Sequence, residues 1–177
     1  MDLSSTKIET ERLLIVPIGM EHKEIIFREF QEPVTEFMYP KPPEKIEEVE
    51  QFIKESLDGL KDSSNLQLVV LDKVTGEFLG CAGLHELDKD NPELGIWIKK
   101  SAHGKKYGRE AITAIKKWAD ENIQYEYIRY PVAAQNIPSR KIPESLGGVV
   151  KKEYDKKMLS GRTYHMVEYW IPGNSKK

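Results

Sequence analysis

Glu93-Leu94-Gly95-Ile96-Trp97-Ile98, then Lys99-Lys100-Ser101-Ala102-His103-Gly104-Lys105-Lys106, then Tyr107-Gly108-Arg109-Glu110-Ala111: this is the stretch that decides the fold. Its first six residues form a short apolar strand, and its middle is a basic, glycine-bearing turn. Its end opens a helix over Lys105 to Asn122, with Gly108, Ala111, Ile112, Ile115 and Trp118 on one face. Glu126 to Ala134, rich in Tyr, Ile and Val, reads as the next strand. Strand, helix and strand at this spacing predict a βαβ unit with parallel strands and a right-handed crossover.

Working upstream, Asn91-Pro92 is a turn, and Leu66–Leu71 with Glu77–Leu84 form a hairpin around a glycine-bearing loop. Glu44 to Lys61 repeats apolar residues at helical spacing through Ile46, Val49, Phe52/Ile53, Leu57 and Leu60. Met20 to Phe30 is a shorter helix, Pro40-Lys41-Pro42-Pro43 a linker, and Glu9 to Pro17 a first strand. Downstream, a helix from Ile137 to Leu146 stops at Gly147-Gly148, and strands Val149–Lys156 and Tyr164–Ile171 follow. The expected architecture is α/β in the mixed α+β sense: a single mixed, mostly antiparallel sheet with a central parallel pair and helices on both faces. Residues 1–177 read as one domain, with 172–177 as a flexible tail.

Composition removes several function classes. At 39% apolar and 32% charged over 177 residues, the chain can build its own core without a staple. Cys81 is the sole cysteine, which excludes internal disulfides and multi-cysteine metal sites; its apolar strand makes it a packed thiol. Met1 to Ser5 carries no apolar run of a signal peptide, and no stretch is long enough to span a membrane. A net charge of −2 argues against a nucleic-acid binder. The expectation is a soluble cytoplasmic domain. The neutral total hides a segregation: Glu21–Asp58 holds 11 acidic and 5 basic residues, Lys99–Lys117 7 basic and 1 acidic. Opposite patches suit two clients of opposite charge, or two solvated helix faces.

The basic turn is the strongest chemical signal. A strand feeding a helix start leaves the first amides of the helix unpaired and pointing at whatever binds there, which suits a phosphate. Gly104 permits close approach, and Lys105, Lys106 and Arg109 add charge. Neither the Walker pattern nor the dinucleotide fingerprint occurs. A solvated first turn fits the same residues. Further on, Asn136 and Ser139 bracket a helix start with Pro138 in its first turn, and both read equally as capping residues.

Taken together, the chain resembles the GNAT superfamily of acyl-CoA-dependent N-acetyltransferases, and more narrowly the branch of ribosomal-protein alanine N-acetyltransferases and their small-amine relatives. The resemblance is carried by E-T-E-R-L-L-I-V-P at Glu9–Pro17, E-L-G-I-W-I at Glu93–Ile98, H-G-K-K-Y-G-R-E-A at His103–Ala111 and Asn136-x-x-Ser139 before Leu146-Gly147. It covers about residues 8 to 172. It implies a GNAT-like fold whose sheet splays between the Glu93–Ile98 and Glu126–Ala134 strands, with acetyl-CoA as acyl donor lying in the splay and no metal. Amides from about Ala102 to Gly108, with His103, Gly104, Lys105, Lys106, Tyr107 and Arg109 around them, would hold the pyrophosphate. Amides near Trp97 and Ile98 would meet the pantetheine and thioester, and Asn136 and Ser139 would lie beside the sulfur. The implied acceptor is a small-molecule amine or a protein N-terminus, attacked directly in a ternary complex.

Two departures stand out. In the superfamily signature [Gln/Arg]-x-x-Gly-x-[Gly/Ala], His103 takes the first place and Lys106 the first glycine place, while Gly108 fits the last. Pro143 stands where many members carry a tyrosine acid, and a proline donates no proton. Glu93 matches the catalytic glutamate of other members as general base, with His85 and Glu86 in reserve; a solvated strand start is the plain alternative. By the same resemblance Ser139 is the acid for the leaving thiolate. Trp97 and Trp118 read as core, and Tyr169 and Trp170 as candidates for the acceptor mouth. The rival function is a non-catalytic GNAT-like module holding CoA or a protein. Edge strands near the C-terminus offer a homodimer contact.

Overall fold

Eight strands form one sheet in the order β1-β2-β3-β4-β5-β6-β8-β7, in a computed structural model that describes residues 1–173. The strands are β1 (Ile8–Glu9), β2 (Leu13–Pro17), β3 (Leu66–Asp72), β4 (Phe78–His85), β5 (Glu93–Ile98), β6 (Tyr127–Ala133), β7 (Val149–Lys157) and β8 (Thr163–Pro172). The helices are α1 (Lys23–Glu29), α2 (Ile46–Asp62), α3 (Tyr107–Asn122) and α4 (Ile137–Ser145). All neighbouring strands are antiparallel except β5 and β6, which run parallel across the α3 crossover.

The apolar pattern of each element is answered by what covers it. β3 and β4 are buried along nearly their whole length, because helices lie over both faces there. That is why they read as continuous apolar runs rather than alternating ones. α3 sets Ala111, Ile112, Ile115 and Ala119 against the sheet, and α2 sets Val49, Ile53 and Leu60 against the other face. Each fully buried isoleucine or leucine contributes about 1.5–3 kcal/mol.

The expected first strand, Glu9–Pro17, is broken into two. Ile8 and Glu9 turn back to pair with Ile15 and Leu14. The Thr10 hydroxyl accepts the Leu13 N–H (2.9 Å) and donates to Glu110 of α3 (2.6 Å). Polar capture at Thr10 and Arg12 therefore wins over strand propensity. At the other end, the first two residues of the expected tail are structured: Pro172 closes β8, and the Gly173 N–H bonds the Glu126 carbonyl (3.1 Å). Residues 174–177 lie outside the described residues.

The junction of β5 and β6 positions the site. The two strands pair only at Glu93 with Arg129, and from Ile96 onward the sheet is open on that side of β5. Side chains alternate, so Ile96 and Ile98 face α3, close to Gly108, while Trp97 faces the other way against Phe30 at the end of α1 (ring centroids 5.0 Å apart).

Candidate active site

The turn from β5 into α3 is built to leave amides unpaired. After β5 a single 3-10 turn, Lys100–Ala102, uses the Ala102 N–H on Lys99 (3.0 Å) and the His103 N–H on Lys100 (3.1 Å). Gly104 then takes φ +79°, which glycine reaches without strain, and Lys106 takes φ +61°. The first helical bond is Glu110 N–H to the Lys106 carbonyl (3.2 Å). Consequently the backbone N–H groups from Gly104 to Arg109 have no acceptor among the described residues. The expected amide run was Ala102 to Gly108; the 3-10 turn consumes its first two members and the helix start adds Arg109.

The turn is braced from the side. Glu110 accepts from Thr10, from the Arg12 backbone N–H (3.0 Å) and from Arg12 Nε (2.7 Å). Arg12 also donates to the Lys105 carbonyl (3.0 Å) and lies over the Tyr107 ring (4.5 Å). His103 folds its Nε2 to within 2.6 Å of the Ile98 carbonyl. Two of the basic residues are spent elsewhere: Lys99 is buried on Glu77 (2.6 Å) and Lys116 on Asp120 (2.7 Å). Lys100, Lys105, Lys106, Arg109 and Lys117 remain exposed, so the usable charge is smaller than the sequence count.

Trp97 and Ile98 were expected to offer amides together, and the pleat separates them. The Lys99 N–H bonds the Leu79 carbonyl of β4 (2.8 Å). Alternation turns Trp97 N–H toward β4 as well, which leaves Ile96 and Ile98 on the open edge. Trp97 contributes its ring instead.

Asn136 and Ser139 lie across the splay, and neither caps α4. Asn136 occupies the N-cap position but its side chain makes no capping bond. The Ser139 hydroxyl is 2.8 Å from the Tyr130 hydroxyl. Tyr130, on β6, is 3% exposed, and burial pushes its pKa up to about 12. The sequence reading missed Tyr130; the signal available was a tyrosine at an inward position of the strand that precedes Ser139. Pro143 is buried inside α4.

On the opposite face a cavity of about 320 Å³ opens between α1, α2 and the β3–β5 floor. Phe30, Met38, Val49, Phe52 and Trp97 supply its apolar wall. Gly95 leaves room on the floor, where a Cβ would sit 3.9 Å from His85 Nε2. His85 lines the cavity, its ring has no hydrogen-bond partner among the described residues, and burial lowers its pKa so that it stays neutral at pH 7.

The three candidate bases thus differ. Glu93 pairs across β4 and β5 with His85 but does not line the cavity; it reaches Arg129 (3.1 Å). Burial raises its pKa, and the Arg129 guanidinium opposes that. Glu86 is tied to Lys89 (2.5 Å) and Arg129, and the Lys89 contact holds its carboxyl below the usual range. Tyr169 is bonded to Glu144 and Arg140 on the α4 face, and Trp170 stacks on Tyr127. Neither lines this cavity. Cys81 is buried, and burial pushes its thiol pKa up, as expected of a packed core thiol. Among the described residues no cluster of His, Cys, Asp and Glu could hold a metal.

Comparison with known proteins agrees with this architecture. The acetyltransferase (GNAT) domain model matches residues 12–149. An uncharacterized N-acetyltransferase p20 of Bacillus licheniformis is 24% identical over 77% of this chain and 79% of its own length. Two further curated relatives are matched over only 53% and 14% of their lengths. The ribosomal-protein-S5-alanine acetyltransferase of Vibrio fischeri superposes with a TM-score of 0.86 at 17% identity, over 98% of this chain and 100% of that one. The spermidine N-acetyltransferase of Vibrio cholerae, solved with CoA and spermine, gives a TM-score of 0.80 at 18% identity, over 92% of this chain and 96% of that one. These structural likenesses establish the fold.

Proposed function

We propose how this chain, a member of the acetyltransferase (GNAT) family and an acyl-CoA-dependent N-acetyltransferase, performs its reaction: acetyl-CoA binds along the α3 and α4 face, and a primary amine attacks from the cavity on the α1 and α2 face. The single observation that carries this reading is the splay. It joins the unpaired amides of Gly104–Arg109 on one side to a cavity holding an unpartnered histidine on the other. The CoA seen in the Vibrio cholerae structure of the same fold supports the donor assignment.

The residues present fit the donor. Amides of Gly104 to Arg109, with the positive end of the α3 dipole and the exposed Lys105, Lys106 and Arg109, bind pyrophosphate. The open edge of β5 at Ile96 and Ile98 bonds the pantetheine amides and holds the thioester oxygen, with Asn136 beside the same channel. When bound, acetyl-CoA supplies an acyl group already activated as a thioester.

An alkyl ammonium, with a pKa of about 10.4 in water, must lose a proton before it can attack. His85 is the acceptor the geometry favours, because it is neutral and unbonded and faces the cavity. Glu93, its cross-strand neighbour, is the second reading, favoured by its raised pKa and its place beside Arg129. The proton returned to the departing sulfur comes from Ser139. The Tyr130 and Ser139 hydroxyls are bonded and either can donate; with Tyr130 as the donor, the Ser139 hydrogen is free to point into the splay, and Tyr130 can replace the proton that Ser139 gives to the sulfur.

Thiol release from acetyl-CoA with a panel of primary amines, read beside the acetylated product by mass spectrometry, tests the reading. Release that depends on the amine supports it. CoA binding without release under every amine would favour the non-catalytic module.

A further inference from the structure

Two hydrogen-bond acceptors in the cavity converge on one spot of its floor. That spot is Gly83 of β4, which pairs with Gly95 of β5 on one side and with Gln67 of β3 on the other. A Cβ built on Gly83 would lie 2.5 Å from His85 Nε2 and 3.0 Å from Gln67 Oε1. A Cβ built on Gly95 would have His85 Nε2 as its nearest neighbour (3.9 Å). The His85 ring thus lies along a floor that two facing glycines keep flat, with Nε2 directed toward β5 and the splay. Gln67 is 6% exposed, and its Nε2 donates to the Ala82 carbonyl (3.2 Å). Only the amide nitrogen can serve that carbonyl, so the side chain is fixed in one orientation and Oε1 is the atom turned to the cavity. Neither Gln67 Oε1 nor the His85 ring has a hydrogen-bond partner among the described residues, and both side chains line the cavity.

Two acceptors this close to one point can be met by a single nitrogen. We propose that Gln67 binds the acceptor amine beside His85: Gln67 Oε1 takes the N–H that stays in the product, and His85 Nε2 takes the proton that leaves. The proposal rests on the reading that this cavity takes the acceptor and that His85 is its base. A primary ammonium carries three hydrogens. The first passes to His85 Nε2 and frees the lone pair, which forms the C–N bond as the C–S bond breaks. The second is lost from nitrogen once that bond has formed, and it balances the proton given to the sulfur. The third remains in the amide product. An amide oxygen is too weak a base to take a proton, so it suits only a hydrogen that is kept. A secondary amine has no third hydrogen, and an alcohol has only the one that the base must remove. Either would leave the Gln67 oxygen buried and unpaired, and a site built to bond an N–H rejects the analogue that lacks it. Gln67 therefore selects primary amines.

The test is kcat/KM of the full chain with acetyl-CoA for butylamine against N-methylbutylamine, and for a peptide beginning with Ala against the same peptide beginning with N-methylalanine. In the unaltered chain the primary member of each pair should be the faster. Gln67→Leu should lower kcat/KM about tenfold for the primary members, the worth of one hydrogen bond, with CoA affinity and melting temperature unchanged. The N-methyl members should lose less. Gln67→Glu restores an accepting oxygen and adds a charge. It should recover part of the primary-amine activity and move the acid limb of kcat up by about one pH unit, because an anion beside His85 favours its protonated form. The other charged groups around His85 are Glu86 next to it, Glu93 across the ladder, and Glu48 and Lys41 on the cavity wall, and none of them is altered. Equal losses for primary and N-methyl probes, or an acid limb that stays in place, would overturn the inference and leave the N-acetyltransferase reading standing. Gly83→Ala is the second arm. Its methyl meets only the ends of the His85 and Gln67 side chains, so the variant should fold, and displacing Nε2 should lower kcat at least tenfold with CoA affinity unchanged. Full activity in Gly83→Ala would remove His85 as the base and the inference with it. Absence of amine-dependent thiol release with every probe would overturn both the inference and the N-acetyltransferase reading.

Discussion

The α3 and α4 face and the α1 and α2 face of the same sheet are built from different materials. The first presents backbone: a run of amides from Gly104 to Arg109 and an open strand edge at Ile96 and Ile98. The second presents side chains: rings and branched chains around His85, drawn from α1, α2, an intervening loop and three strands. Backbone geometry depends on where elements start and stop, so it tolerates many side chains. A side-chain cavity depends on each residue that lines it. Substitution should therefore be mild on the first face and severe on the second, and that difference can be probed directly.

The largest effect is expected at His85. His85→Gln should lower kcat by about 10²–10⁴-fold, the range of one general base, with CoA affinity unchanged. The pH profile sharpens the assignment. A base works only unprotonated, and burial holds the His85 pKa below its ordinary value of 6.5. The acid limb of kcat should thus fall only below about pH 6.5. If Glu93 is the base instead, Glu93→Gln carries the larger loss, and the limb lies above the ordinary glutamate value of 4.5, because burial raises that pKa.

On the backbone face, replacing Lys105, Lys106 and Arg109 together by Ala should weaken CoA by about tenfold, roughly one charge-assisted bond. It should also flatten the salt dependence measured by calorimetry. The amides themselves stay, so binding survives. A complete loss of binding would mean that side chains, not backbone, build this face.

These two regions also differ in how far the sequence disclosed them. The βαβ unit at Glu93–Ala134 was legible because period-2 and period-3.6 patterns abut there with a glycine-bearing turn between. The basic turn announced an anion site through the same local pattern. Non-local choices were hidden. Thr10 and Arg12 break the first strand because Glu110, a hundred residues away, captures them. Trp97 and Ile98 diverge because the pleat, not their identity, decides which amide faces the splay. Tyr130 meets Ser139 only once β6 and α4 pack. The loop holding Phe37, Met38 and Tyr39 divides its members: Met38 enters the cavity, Phe37 packs edge-on against Tyr164 (5.2 Å), and Tyr39 lies under Lys156 (4.5 Å). No local pattern sorts three adjacent apolar residues in that way.

A smaller effect is expected at Tyr130. Tyr130→Phe should lower kcat by about twofold to tenfold, the worth of one net hydrogen bond, with KM for acetyl-CoA unchanged. The loss should vanish when Ser139 is already Ala. A loss that persists beside Ser139→Ala would make Tyr130 a packing residue only.

The smallest concerns Lys106. Its left-handed backbone (φ +61°) explains why glycine is favoured at this place in the signature, and lysine there costs about 1 kcal/mol. Lys106→Gly should raise the melting temperature by about 2–4 °C. CoA affinity should change little, since the amide it contributes is retained. A fall in melting temperature would show that the lysine side chain, rather than the backbone, holds the turn.

The most direct measurement of direct transfer between the two faces is a rapid mix of enzyme with acetyl-CoA alone, then with a primary amine, following free thiol and intact protein mass together. Attack from the cavity across the splay predicts no stoichiometric burst of thiol and no acetyl added to the protein until the amine arrives, then one thiol for each amine acetylated. A stoichiometric burst of thiol with an acetylated protein before any amine is present would contradict it, and would point to a nucleophile on the enzyme.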